Sequence, residues 1–480
     1  MKTRAAVVLA CAMACAKETD SGRDAQPDAS DAMTALASAF DACDKGAEGA
    51  AREVTTAARA GKAVDDRTST ALFRCFSTYK ASSGSIVVAS ALHDAVLANK
   101  DPSYAAKAAA MLEAPVNPAD SLDARGVHRI NDQLDVWQKT ALEILIATPD
   151  KAATHTLVGV LMTREKKTLW PLARAALAMN AHDGAKAIAS ALDGSDAALA
   201  AMRAPWGDGN GYVPNLVEAL AECAIDPARD AVIAAVPSLT NDANRAALAE
   251  SLVWFARTDV TMTTFRSIES KLPPSSLERA TLLRVAADAL DARALSWVLD
   301  EGARSGSGEQ AVAAKAGAVE SAIRLMQPGD EPRVLAAIDV LVNKSGLSPM
   351  ERHEIEHNIR GVYAAAASAL TQCKADVACH LGVLREAIPP DSHANWKQIK
   401  SAETCALFGD DATRKALVEI ATTTKNAGAR LAIARAIDQL APRGDLAAAK
   451  TLEAIATSEQ LAVDDPIARV ARMVRARAAP

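Results

Sequence analysis

The chain has 480 residues, is 50% hydrophobic and carries a formal charge of −6. Chains beyond about 250–300 residues rarely form one compact core, so this length implies several domains or a core that grows in one dimension. Scattered positive charge excludes a general nucleic-acid surface, which needs a concentrated basic stripe. Abundant alanine, with only 3% aromatics, favours helices over strands.

The amino terminus is read first. Met1-Lys2-Thr3-Arg4 is basic and Ala5 to Ala14 is apolar. An apolar run of about 10 residues is too short for a permanent membrane helix, which needs ~20, so it reads as an export signal. Its ending, Ala12-Met13-Ala14-Cys15, resembles a bacterial lipoprotein signal, although Ala12 stands where leucine is usual. The resemblance implies cleavage before Cys15 and lipidation of that cysteine. It also implies the outer membrane over the inner, because Ala16 replaces the inner-membrane retention aspartate. Cys11 is a competing site with a very short apolar run before it, and an ordinary cleaved secretory signal is the other reading. The polar, acidic residues up to 30 lack periodicity and predict a disordered tether. The chain therefore divides into a signal (1–14), a tether (15–30), N-terminal helical repeats (31–204), an irregular loop (205–212) and C-terminal helical repeats (213–480).

From about Asp31 the pattern is helical with short breaks. Residues 31–60 pair with 64–80 across Gly61, and 84–99 with 102–114 across Lys100-Asp101-Pro102. A third pair spans 120–163, divided at Thr148-Pro149-Asp150. A fourth spans 167–193, closed by Asp193-Gly194. After the loop, pairs are predicted to start near 213, 241, 275, 308, 348, 392 and 426, with a last helix from about 465. The starts are 28 residues apart at the shortest (213 to 241) and 44 at the longest (348 to 392).

Val213 to Leu239 shows the pattern most clearly. Val213, Leu216, Val217 and Leu220 share one helical face. Asp226 offers an N-cap oxygen, and Pro227 suits the first helical position. Val232, Ile233, Val236 and Leu239 form a second stripe. One hairpin cannot bury both stripes, so neighbours must stack on it. The expected fold is all-α, an α-solenoid of stacked antiparallel helix pairs.

Several helices open with an acid three residues before an arginine: Asp226/Arg229, Asp242/Arg245, Asp330/Arg333 and Asp411/Arg414. An Asp-rich turn followed by a helix carrying Arg among Ala, Val and Leu resembles HEAT or armadillo-like repeats. The likeness covers most of 150–480 and, more loosely, 31–149. It implies a scaffold fold and no particular activity. Each Asp/Arg pair is read as helix capping with a solvated arginine. In the last helix Ile467, Val470, Ala471 and Val474 share a face, while Arg469, Arg472, Arg475 and Arg477 lie elsewhere. That predicts the polar outer face of a terminal repeat, and a candidate surface for anionic lipid or a partner.

With Cys11 lost and Cys15 lipidated, six cysteines remain, an even number in an oxidising compartment, so disulfides are expected. Two local pairs are favoured, Cys43 with Cys75 from adjacent helices and Cys373 with Cys379 across one turn. Cys223 and Cys405 are expected as buried thiols, because distant repeats of a solenoid do not touch. Cys405 is the one that would compete for Cys373 or Cys379. A metal alternative would set His380 and His393 beside Cys373 and Cys379, in a spacing that matches no common zinc module.

Two stretches could carry chemistry. His353-Glu354-Ile355-Glu356-His357 has the form of the zinc-metallopeptidase motif, with two histidines on one helical face and Glu354 to activate water. Arg352 and Glu356 charge a stretch that such enzymes keep apolar, and Arg360 and Tyr363 stand where the extended motif has Gly and His. A plain exposed helix is the expected outcome. In the loop, Asp208 and Asn210 alternate like the first ligands of a calcium site, but Ala219 occupies the position of the closing carboxylate. The loop either presents Trp206, Asp208, Asn210 and Tyr212 to a partner or plugs a junction between stacks with its two rings. Phosphate-cradling glycine loops, hydrolase serine elbows and dinucleotide fingerprints are missing from the sequence, and Ser305-Gly306-Ser307-Gly308 reads as a flexible linker.

The functional expectation is a non-enzymatic, lipid-anchored scaffold or protein-binding solenoid of the bacterial envelope. It would have no catalytic residue, metal or cofactor, an unknown protein partner, membrane attachment through the lipid and no nucleic acid. Binding would use the concave face across many repeats. The alternative is a zinc-dependent hydrolase built on His353, Glu354 and His357.

Overall fold

Glycine, proline and aspartate at the breaks and alanine-rich stretches between them produce a chain of short helices. The computed structural model describes residues 29–79, 86–113, 129–239, 241–306, 308–344, 347–387 and 393–478. Cys15 and the signal lie outside them. The described residues are helices and turns without a strand. No helix among them is long and apolar enough to cross a membrane.

The chain divides between Asn99 and Lys100 into two compact units, and the 205–212 loop lies inside the second. The first unit holds α1 (Ala29–Ala42), α2 (Ala47–Arg59), α3 (Asp66–Thr78) and α4 (Ile86–Asn99). Asp65 caps α3 by accepting from the Thr68 amide at 2.9 Å. That bond holds the Asp65 carboxyl below its ordinary range. Phe40, Val54, Leu72, Phe73, Phe76 and Leu92 are buried between the helices. Cys43 and Cys75 are joined as expected, which ties the end of α1 to α3.

The second unit opens with α5 (Tyr104–Glu113), α6 (Arg129–Ala147), α7 (Thr154–Leu161), α8 (Trp170–Met179), α9 (Ala181–Asp193) and α10 (Ala197–Ala201). Beyond the loop come α11 (Val213–Cys223), α12 (Asp226–Ala235), α13 (Asp242–Leu252), α14 (Asp259–Glu269), α15 (Leu277–Ala289), α16 (Leu295–Arg304), α17 (Glu309–Leu325) and α18 (Glu331–Lys344). The last seven are α19 (Pro349–Cys373), α20 (Val377–Arg385), α21 (Asn395–Phe408), α22 (Asp411–Ala421), α23 (Ala427–Leu440), α24 (Leu446–Ser458) and α25 (Pro466–Ala478). From α11 onward helix pairs stack in sequence order, as the apolar stripes require. The result is an all-α solenoid. Two earlier pairs differ from expectation: 31–60 is broken into α1 and α2 at residues 43–46, and α4 and α5, expected to pair, belong to different units, where α4 packs on α2 and α5 on α6.

An inner row runs α8, α11, α13, α15, α17, α19, α21, α23, α25, each packed on the next. Within this unit α12, α14, α16, α18, α20, α22 and α24 each pack against members of the row. The row then closes, because α25 packs against α8 and α11. This corrects two expectations. Distant repeats do touch: Arg472 on α25 donates to Glu222 on α11 at 2.9 Å, 250 residues away. Ile467, Val470, Ala471 and Val474 are buried as expected, but α25 lacks the expected polar outer face, because Arg472 and Met473 are buried as well. Its arginines are engaged, Arg477 with Asp438 and Arg475 with Glu453.

The Asp/Arg pairs form, but the capping reading needs correction. Asp226, Asp242 and Asp411 are the first residues of their helices. The caps of α13 and α22 come one residue earlier, from Asn241 and Asp410. Each aspartate instead pairs with the arginine one turn on, at 2.9 Å for Arg229, 2.5 Å for Arg245 and 3.5 Å for Arg414. Asp330 pairs with Arg333 at 3.6 Å. Arg414 is not solvated, because its guanidinium also reaches Asp445 at 3.0 Å in the following pair.

Candidate functional site

The interior of the closed row is ionic. On α15, α17 and α21, Asp288, Arg324 and Glu403 form a chain in which Arg324 donates to Asp288 at 2.7 Å and to Glu403. Lys400, one turn before Glu403, donates to the Arg324 carbonyl at 2.5 Å. Arg257 approaches from the segment after α13 and donates to the Ala287 carbonyl at 2.8 Å. With its amide oxygen turned inward, Gln439 on α23 accepts from Arg257 at 2.8 Å. Arg435, also on α23, donates to the Val253 carbonyl at 2.7 Å. Asp288, Arg324, Glu403, Arg257, Gln439 and Arg435 line a cavity of about 20 Å³, room for one water-sized group. Arg435 Nε and Glu403 Oε2 are buried without a hydrogen-bond partner.

Burial would raise the Asp288 carboxyl, but the guanidinium groups of Arg324, Arg435 and Arg257 hold it well below the usual range. Burial pushes the Lys400 ammonium down to about 8, against the pull of Glu403. This cluster continues into a second. Trp254 lies between Arg435 and Arg469, with the guanidinium carbons 3.4 Å and 3.7 Å from its ring centroid. Burial lowers Arg469 to about 10. Beyond it, Glu222 takes Arg472 at 2.9 Å and Arg174 at 3.5 Å. Burial opposes ionisation of Glu222, and the three arginines around it prevail. A charge-assisted column thus fills the inner side, and the expected open concave binding face is replaced by it. Its chemistry is cohesion between repeats far apart in the chain.

Of this column, sequence reasoning named only Arg469 and Arg472, and placed them on an outer surface rather than inside. The available signal was a charge embedded in an otherwise apolar helix. Arg435 lies between Ala434 and Ala436, and Arg472 between Ala471 and Met473. An arginine in such a run has no polar face to occupy and must find a partner inside.

The loop residues are brought together as a plug. The Trp206 indole donates to the Met162 carbonyl at 2.8 Å. Its ring lies 6.3 Å from Trp170 and 6.4 Å from Tyr212. Arg164 covers Trp206, and Arg203 covers Tyr212. Tyr212 is buried. Asn210 adopts a left-handed backbone, and its carbonyl accepts from Asn244 at 3.2 Å. Gly207, with φ 63°, makes the turn that a side chain would strain. The side chain of Asp208 lies outside the described residues.

His353 and His357 are exposed on α19, and the Glu354 side chain is outside the described residues. The His357 ring meets His393 edge-on, 5.6 Å away. Among the described residues no three His, Cys, Asp or Glu side chains gather as a metal site. Cys373 and Cys379 form a disulfide, which removes the thiolates that the metal alternative with His380 and His393 needed. His380 is buried instead. Its Nε2 lies 2.8 Å from the Lys374 carbonyl, to which it donates, leaving Nδ1 to accept from Ser401 at 3.1 Å. Cys223 and Cys405 are buried thiols, and burial pushes Cys405 up to about 12, leaving it inert. Comparison with known protein families, curated proteins and solved structures finds no match to this chain. The class it defines is an all-α solenoid closed by its last helix.

Proposed function

We propose that the chain is a non-enzymatic scaffold, or protein-binding solenoid, of the bacterial envelope, tethered by a lipid on Cys15. The observation that carries this reading is the locked frame. Disulfides hold both units, and buried ion pairs tie helices far apart in sequence. A surface fixed in advance loses less freedom on binding a partner, which favours affinity. The inner side is filled, so recognition falls to the outer helices and turns. Two disulfides suit an oxidising compartment, in line with the export signal. By its resemblance to lipoprotein signals, and with Ala16 after the cysteine, the anchor belongs in the outer membrane.

The test is intact mass and metal content of the protein purified from bacterial membranes, followed by crosslinking in those membranes. A diacyl or triacyl mass on a chain starting at Cys15, with a crosslinked protein neighbour, supports the tethered scaffold. A soluble chain with a free amino terminus removes the anchor. Stoichiometric zinc that is lost in His353→Ala overturns the reading in favour of a hydrolase built on His353, Glu354 and His357.

A further inference from the structure

Between α16 and α18, both seated on α17, runs an apolar trough of about 200 Å³. Leu299 forms one wall, Val340 and Leu341 the other, and Ala318 and Val319 the floor. Val340 is 46% exposed, an apolar side chain left facing solvent at the rim. The base is narrow because α16 and α17 approach closely at Gly302, where a Cβ would stand 2.7 Å from that of Ala318. One charged residue lines the trough, Lys315, one turn before Ala318. Its ammonium donates to the Gly306 carbonyl at 2.7 Å, which places the cation at the end nearest the α16–α17 turn.

This arrangement selects its ligand by exclusion. Drug-sized molecules occupy about 300–1,000 Å³. A partner helix is about 10 Å across with its side chains, too thick for even one turn to enter a volume of about 200 Å³. Among the described residues no other polar side chain lines the trough, so a ligand leaves its polar group at the mouth, beside Lys315. A thin apolar chain with an anionic end meets all three conditions.

We propose that the trough binds one medium-length fatty carboxylate, its tail along α17 between α16 and α18 and its head paired with Lys315. The inference stands apart from the scaffold reading and holds whether or not a protein partner exists. Each methylene seated in the trough strengthens binding about fourfold. Affinity therefore climbs with chain length and levels off once the trough is full.

The experiment is calorimetric titration of the full chain with octanoate, decanoate and dodecanoate, each below its micelle concentration. One-to-one saturable binding that tightens about fourfold per methylene and then plateaus is the expected result. Ala337→Leu, which fills the trough, and Val340→Asp, at an exposed position, should each abolish it while the thermal transition stays in place. Lys315→Met should weaken decanoate about two- to fivefold and leave decanol unchanged. Absence of saturable decanoate binding overturns the proposal, as does undiminished binding in both trough variants. Decyltrimethylammonium binding as tightly as decanoate overturns the role given to Lys315.

Discussion

The two units fix their helices by different means. In the first, Phe40, Leu72, Phe73 and Phe76 pack an apolar interior, and a covalent bond joins α1 to α3. In the second, the axis is held by ion pairs among Asp288, Arg324, Glu403, Arg435, Glu222 and Arg472 and by Arg435 and Arg469 stacked on Trp254. An apolar interior tolerates exchange between side chains of similar volume, whereas an ionic one penalises the loss of a single member. The partner left behind is a buried charge with nothing to answer it. The second unit is therefore the more sensitive of the two to the loss of a single charged side chain.

The largest effect follows from that difference. Arg324→Met leaves Asp288 to Arg435, 3.9 Å away, and Glu403 to Lys400. It should cost about 3–5 kcal/mol in denaturant titration. Adding Asp288→Asn and Glu403→Gln should recover most of the loss. If Arg324→Met alone costs under about 1 kcal/mol, the ionic column is decoration and the contrast between the units falls.

The first unit answers to its covalent link. The Cys43–Cys75 bond spans 32 residues, so replacing both cysteines with alanine should cost about 3–4 kcal/mol. All six tryptophans lie beyond residue 99. Circular dichroism should show an early loss of helix while tryptophan fluorescence holds its transition. A shift of the fluorescence transition by the same amount would show that the disulfide serves the second unit as well.

Lys400 sharpens the comparison through pH. Its folded-state value of about 8 lies below the ordinary 10.5, because burial disfavours the ammonium. Between those values the unfolded chain holds a proton that the folded chain has released, so stability rises with pH across that window. Below pH 8 both states are protonated and the burial penalty is fully present. The rise should total about 3 kcal/mol. Lys400→Met should flatten it relative to the parent and be neutral or stabilising at pH 7. An identical slope in the variant would remove Lys400 from the account.

The helix pairs after residue 212 were legible because apolar stripes, Asp226-Pro227 and the prolines are local signals; the first two pairs were not, because nothing local marked the break at 43–46 or the division between units at residue 99. The pairs expected to start near 213, 241, 275, 308, 348, 392 and 426 begin at Val213, Asp242, Leu277, Glu309, Pro349, Asn395 and Ala427. Both favoured disulfides were legible for the same reason, since each joins neighbouring helices. Closure of the row was not. Arg472 and Glu222 are 250 residues apart, and nothing in either stretch names the other. The loop was half legible. Its glycines marked an irregular turn, but that Trp206 would donate to Met162 depends on how α7 and α11 pack, which no spacing encodes.

The smallest effect tests the motif that was most visible in the sequence. Arg229 and Arg414 both follow an aspartate by three residues, and by pattern they are equivalent. In the structure Arg229 pairs with Asp226 and Asp230, both well exposed, at 2.9 Å and 2.8 Å. Water and salt compete for such carboxylates, so Arg229→Ala should shift stability by no more than about 0.5 kcal/mol, less in high salt. Arg414 reaches Asp445, which is largely buried and already accepts from two amides at the start of α24. Removing that guanidinium strips a charged partner from a sheltered carboxylate and should cost about 1.5 kcal/mol. Equal effects would mean that the local Asp/Arg spacing sets the energy. A threefold difference would mean that the neighbouring repeat does, as it does throughout the ionic column.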